Sequence, residues 1–153
     1  MGYPYIILRG IYNKTFIDDD GYPTADLFYF VKRGEQEERK DGLLAESINW
    51  KDDEGALESL LTQKKSGVIQ FKAGAAVLSR IELDRLIKKP TVEGHSLAYE
   101  REPLLDNKYH GNLLLECTCT KRIMKRIAGA IATDCVTGVI PNSYAETASA
   151  ESS

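Results

Sequence analysis

The chain has 153 residues, 42% apolar and 28% charged, and its 20 basic side chains face 23 acidic ones for a net charge of −3. That length and composition fit one domain that buries about two-thirds of its unfolded surface and needs neither disulfides nor metal to fold. The mild acidity excludes a general attraction to nucleic acid or anionic membrane, and the longest uncharged run, Cys135 to Ala145, is too short and too broken by Gly and Pro to span a bilayer.

Tyr5 to Tyr12 is rich in β-branched and aromatic residues and predicts a strand, as does Leu27 to Val31. Between them, Asp18-Asp19-Asp20-Gly21-Tyr22-Pro23 reads as a turn. Lys32 to Asp41 is polar and reads as an exposed loop. After Ile48, Asn49 is placed as the N-cap of a helix, with Asp52, Asp53 and Glu54 in its first turn, where the dipole favours negative charge. Ala56, Leu57, Leu60 and Leu61 form its apolar stripe, Lys64 and Lys65 its carbonyl end, and Gly67 its stop.

Val68 to Phe71 predicts a strand. Val77 to Leu86 suits two readings. Ser79 with Glu82 has capping-box spacing for a helix ending before Pro90, while Ile81 and Leu83 alternating with charges fit an edge strand. Residues 88–111 read as a long polar connection. Leu113 to Cys119 predicts a strand, and Ile123, Ile127 and Ile131 mark one face of a second helix. From Pro141 the chain is almost wholly small and polar, so 138–153 reads as a flexible tail behind a single domain over 1–137. The expected class is α+β, a mixed or antiparallel sheet with about two packed helices.

The start, Met1-Gly2-Tyr3-Pro4-Tyr5, has neither the basic nor the apolar region of a secretory leader, and three cysteines suit free thiols in a reducing compartment. The expectation is a cytoplasmic protein. Cys117 and Cys119 alternate on a strand face with Leu113 and Leu115, and no Cys-x2-Cys or His-x3-His pair exists, so these are core thiols and no metal is expected.

Arg9 interrupts an apolar strand, so it either faces solvent, pairs with a carboxylate, or anchors an anion by planar bidentate contact. His110 and His95 are the only imidazoles, and His110 precedes a glycine at the start of a strand. Lys121, Arg122, Lys125 and Arg126 load the start of the last helix, where the dipole is already positive. Solvation, acidic neighbours, or a docked phosphate, nucleotide or acidic partner would each offset them.

The order of Leu8-Arg9-Gly10, Asp41-Gly42-Leu43-Leu44-Ala45-Glu46-Ser47 leading towards a helix, Gly67-Val68-Ile69-Gln70-Phe71 and His110-Gly111-Asn112-Leu113 resembles a group of small uncharacterised bacterial proteins. They share an early arginine, a "GLS"-type segment and a late histidine. Here Gly42 is followed by Leu43 and Leu44, which leaves Ser47 as the nearest serine. The arginine-bearing first strand and the Ser47–Leu61 unit followed by a strand are also distantly similar to ADP-ribosyltransferase-like domains. That resemblance implies NAD as cofactor, its phosphates held by Arg9, with Glu116 or Glu82 as candidates for the catalytic glutamate.

Two functions are carried forward. One is a small nucleotide- or NAD-directed enzyme of toxin or defence type. In it Arg9, Lys121 and Arg122 form the anion site and His110, Ser47 and Glu116 carry the chemistry. The other is a non-catalytic module that binds or neutralises a protein partner. Nucleic-acid binding ranks third, because the basic cluster is local and has no interleaved aromatics.

Overall fold

Residues 3–30, 43–89, 97–116 and 120–145 are described by the structure, a computed structural model. Strands β1 (Ile6–Ile11), β2 (Leu43–Trp50), β5 (Gly74–Ser79), β6 (Ala98–Arg101), β7 (His110–Glu116) and β8 (Val136–Ile140) form one sheet in the order β6-β7-β2-β1-β5-β8. Every neighbouring pair is antiparallel. The α+β class is therefore shown, in its antiparallel form.

Alternation along the strands sorts side chains to two faces. Ile7 and Ile11 of β1, Leu44, Ile48 and Trp50 of β2, and Leu113 and Leu115 of β7 enter the larger core. Helix α2 (Arg80–Ile87) and helix α3 (Lys121–Ala130) close that face with Leu83, Leu86, Met124 and Ile127, as does a 3₁₀ turn (Ala25–Phe28) with Leu27 and Phe28. On the opposite face, helix α1 (Gly55–Thr62) sets Ala56, Leu60 and Leu61 against Leu8, Ala75 and Tyr109.

Several expectations are corrected. The helix expected after Ile48 forms with its apolar stripe, but Asn49 is not its cap. Asn49 lies in β2, whose pairing with β7 runs unbroken from Leu43↔Glu116 to Asn49↔His110. Tertiary pairing with a long apolar strand outweighs the local capping signal there. Helix α1 begins six residues later, and Asp53 Oδ1 accepts the Gly55 N–H at its start (2.9 Å). Of the strand expected over 68–71, only β4 (Val68–Ile69) forms, paired with β3 (Lys64–Lys65). Ser66 and Gly67 both take positive φ (55° and 80°), which makes them a tight hairpin turn rather than a helix stop.

Leu27 and Phe28 sit in the 3₁₀ turn, not in a strand. The 88–111 connection contains β6. Residues 138–145 are not a tail: β8 pairs with β5, and buried Asn142 donates to Leu61 O (2.8 Å) and Phe71 O (2.9 Å). The missed signal is Val136, Val139 and Ile140, β-formers enough for an edge strand once a partner is present. The open 77–86 reading resolves as a strand–helix junction, with Ser79 Oγ accepting the Glu82 N–H (3.3 Å). The expected 32–41 loop, His95, Cys117, Cys119 and the end of the tail, 146–153, lie outside the described residues.

Candidate active site

The central seam of the sheet is incomplete. Strands β1 and β2 pair only at Ile7↔Trp50 and Leu8↔Asn49, and beyond that point they part. Where they part, Arg9 of β1 bridges the gap: Nη1 donates to the β2 carbonyl of Ser47 (2.6 Å), and Nη2 to Leu27 O of the 3₁₀ turn (3.3 Å) and to Glu46 Oε2 (3.2 Å). The pair is largely enclosed, with the Arg9 side chain 14% exposed and that of Glu46 7%. The first-strand cation is thus built into the sheet as a clamp.

A cavity lies on each side of this clamp. One, of about 280 Å³, opens beside the 3₁₀ turn and is lined by Arg9, Glu46, Asp26, Leu27 and Tyr29, among others. The other, of about 260 Å³, lies on the α1 side. Its floor is Arg9, Glu46, Ser47, Asn49 and His110; its walls are Leu60 and Gln63 of α1 with Gln70 and Phe71; a turn holding Leu104, Asp106 and Asn107 borders it. Phe71 lies directly over β1 because residue 10 is glycine: a Cβ there would fall 2.4 Å from the ring.

Within this second cavity, His110 is fixed at both nitrogens. Nδ1 faces the Glu102 carbonyl oxygen at 2.9 Å, and Nε2 faces Ser47 Oγ at 3.2 Å. A carbonyl can only accept, so in the neutral ring Nδ1 carries the proton and bare Nε2 accepts from the Ser47 hydroxyl. The Glu102 carboxylate lies 3.6 Å from Nδ1. The strand register makes this meeting possible: Ser47 is opposite Asn112 and Asn49 opposite His110, which places Ser47 and His110 on one face of adjacent strands.

A second chain of polar contacts starts from the backbone. Tyr109 N–H donates to Asn107 Oδ1 (3.1 Å), and Asn107 Nδ2 donates to Asn49 Oδ1 (3.0 Å). The Tyr109 hydroxyl donates to Asp53 (2.8 Å), tying β7 to the start of α1. That bond holds the Asp53 carboxyl below its usual range and the Tyr109 hydroxyl above the usual phenolic one.

Of the residues singled out from sequence, Arg9, Ser47 and His110 line this one cavity. Glu116 does not line it. It ends β7 opposite Leu43, about 20 Å of strand from His110. Lys121 and Arg122 are exposed on α3, which packs on the other face of the sheet. Among the described residues neither of them forms a salt bridge. Glu82 is paired with Arg85 on α2.

Sequence reasoning missed Asn49, Glu102 and Asn107. Ser47 and Asn49 alternate with Ile48 and Trp50, a period-two signal that the acidic run at 52–54 obscured. No local pattern marks Glu102 or Asn107, whose roles follow from the β6–β7 turn. No protein-family model matches the chain, and neither does any curated protein or solved structure.

Proposed function

We propose that the protein is an enzyme that binds a small polar molecule in the α1-side cavity and attacks it with the Ser47 hydroxyl. The observation that carries this reading is the Ser47–His110 contact, with the far ring nitrogen already held by Glu102. A nucleophile, a base and a group that orients the base are the parts nucleophilic catalysis needs. His110 Nε2 takes the Ser47 proton as Oγ attacks and later delivers it to the leaving group, while the Glu102 carbonyl and carboxylate favour the transient imidazolium.

Size and charge narrow the guest. A volume of about 260 Å³ sits below the roughly 300–1,000 Å³ of pockets for drug-sized ligands, so it suits one ring or a short chain rather than a whole dinucleotide. Arg9 is already engaged by Glu46, and Asp106 adds a further carboxylate to the lining, so the lining favours a neutral or cationic guest over a phosphate. Phe71 offers a flat ring against which a single-ring guest can rest.

The test is intact-mass analysis after exposure to an alkyl fluorophosphonate. One adduct is expected on Ser47 of the native protein. It should be absent in Ser47→Ala and slowed at least about 100-fold in His110→Gln. Ser47 is exposed, so its replacement should change stability by no more than about 0.5 kcal/mol. A native protein that takes up no adduct, or a His110→Gln variant labelled at the native rate, defeats the proposal.

A further inference from the structure

Asn49 is 3% exposed, lines the cavity, and its Nδ2 has no hydrogen-bond partner. The orientation of its amide is dictated by its neighbours. Tyr109 N–H is a donor and nothing else, so Asn107 must turn its oxygen towards it and its nitrogen towards Asn49. Asn49 must therefore answer with its oxygen, which leaves a donor, not an acceptor, as the open end of the chain. Buried donors are almost always satisfied, and one that is not calls for a reason. Each bond in this chain also polarises the next, which strengthens the terminal donor.

We infer that the guest is an acyl compound (an ester, thioester or amide) whose carbonyl oxygen is received by Asn49 Nδ2. This rests on the reading of Ser47 as nucleophile. Ser47 and Asn49 are two residues apart on the same face of β2, about 7 Å along the strand, which leaves room for one carbonyl group between hydroxyl and amide. Nδ2 is covered by its surroundings, and it meets the carbonyl oxygen by a small rocking of the amide about χ2, a soft torsion, with Oδ1 kept on Asn107.

In the reaction, Ser47 Oγ bonds to the carbonyl carbon as its proton passes to His110 Nε2, and the C=O electron pair moves to the oxygen, where Asn49 receives it. When that pair returns, the bond to the alcohol, thiol or amine breaks and the leaving group takes the proton from Nε2. Acyl-Ser47 remains. Water then repeats the sequence, giving its proton to Nε2 and releasing the carboxylic acid and Ser47.

The test separates this inference from the nucleophile itself. Acetanilide, a carbonyl compound, is titrated into ¹⁵N-labelled Ser47→Ala protein, in which no covalent step can occur, and the assigned side-chain NH₂ signals are followed. The Asn49 pair should shift and saturate, with the Asn107 pair following through the shared bond. In protein that retains Ser47, Asn49→Asp should slow acylation by p-nitrophenyl acetate about 100- to 1,000-fold. If the Asn49 signals stay fixed while native Ser47 still takes the fluorophosphonate, the acyl assignment fails and the nucleophile stands. If the signals move but Ser47 is never labelled, the carbonyl site stands as a binding site and the acyl-transfer step fails.

Discussion

Arg9 and Glu46 face each other across the seam of the sheet, and their enclosure sets what each substitution does. Removing one member of a buried ion pair strands the other, typically at about 3–5 kcal/mol, whereas replacing both with apolar groups is far milder. Arg9→Met is expected to cost about that much in urea unfolding, because it takes the cation away from the enclosed Glu46 carboxylate and also uncovers the carbonyls of Ser47 and Leu27. Arg9→Met combined with Glu46→Leu should recover a large part of the loss. A double variant as unstable as the sum of the singles would show that the two residues act independently. The charge of Arg9 was legible as an anomaly in an apolar strand. Its partner was not, since nothing local in the sequence joins residue 9 to residue 46.

At the scale of elements, the last strand is the instructive one. β8 supplies the free edge partner for β5, and Asn142 just beyond it satisfies carbonyls of both α1 and the segment entering β5. Deleting 138–153 would therefore expose one side of β5 and leave two carbonyls without their donor, at about 1–3 kcal/mol for each group that stays buried. A truncation after Thr137 should unfold at a markedly lower temperature than the full chain, and an unchanged midpoint would mean that β8 contributes nothing. Periodicity alone finds α3, because Ile123 and Ile127 lie four residues apart, Ile131 carries the same face into the turn that follows, and Thr120 Oγ1 accepts the Ile123 N–H (3.3 Å). It leaves the start of β5 unread, because Gly74-Ala75-Ala76 lacks the β-branched residues that mark a strand. Small residues are used there because the strand lies between β1 and β8 and is buried on both faces.

For the molecule as a whole, Cys135 is a reporter of opening. It is fully buried in the larger core, and burial first, then nearby Asp134 and Glu82, push its thiol up to about 12. Ionisation is easier in the unfolded chain, near 9. The stability linked to this group is therefore intact below about pH 9 and falls as pH rises towards 12. At pH 8, iodoacetamide should modify Cys135 only through unfolding, so that its rate, followed by peptide mass mapping, rises in step with the unfolded fraction in urea. Rapid modification without denaturant would refute the burial.

Read alone, the residues specify the class of fold, the first strand, the amphipathic α3, and the short roster that included Arg9, Ser47 and His110, while the Ser79–Glu82 spacing offered the start of α2 as one of two readings. Those are local matters of propensity, capping and period. Which strands became neighbours was decided only in three dimensions, because pairing depends on partners dozens of residues away. The parting of β1 from β2, and the β2–β7 register, are what place a serine, a histidine and an unfinished amide chain around one cavity. They also leave Glu116, Lys121 and Arg122 outside it.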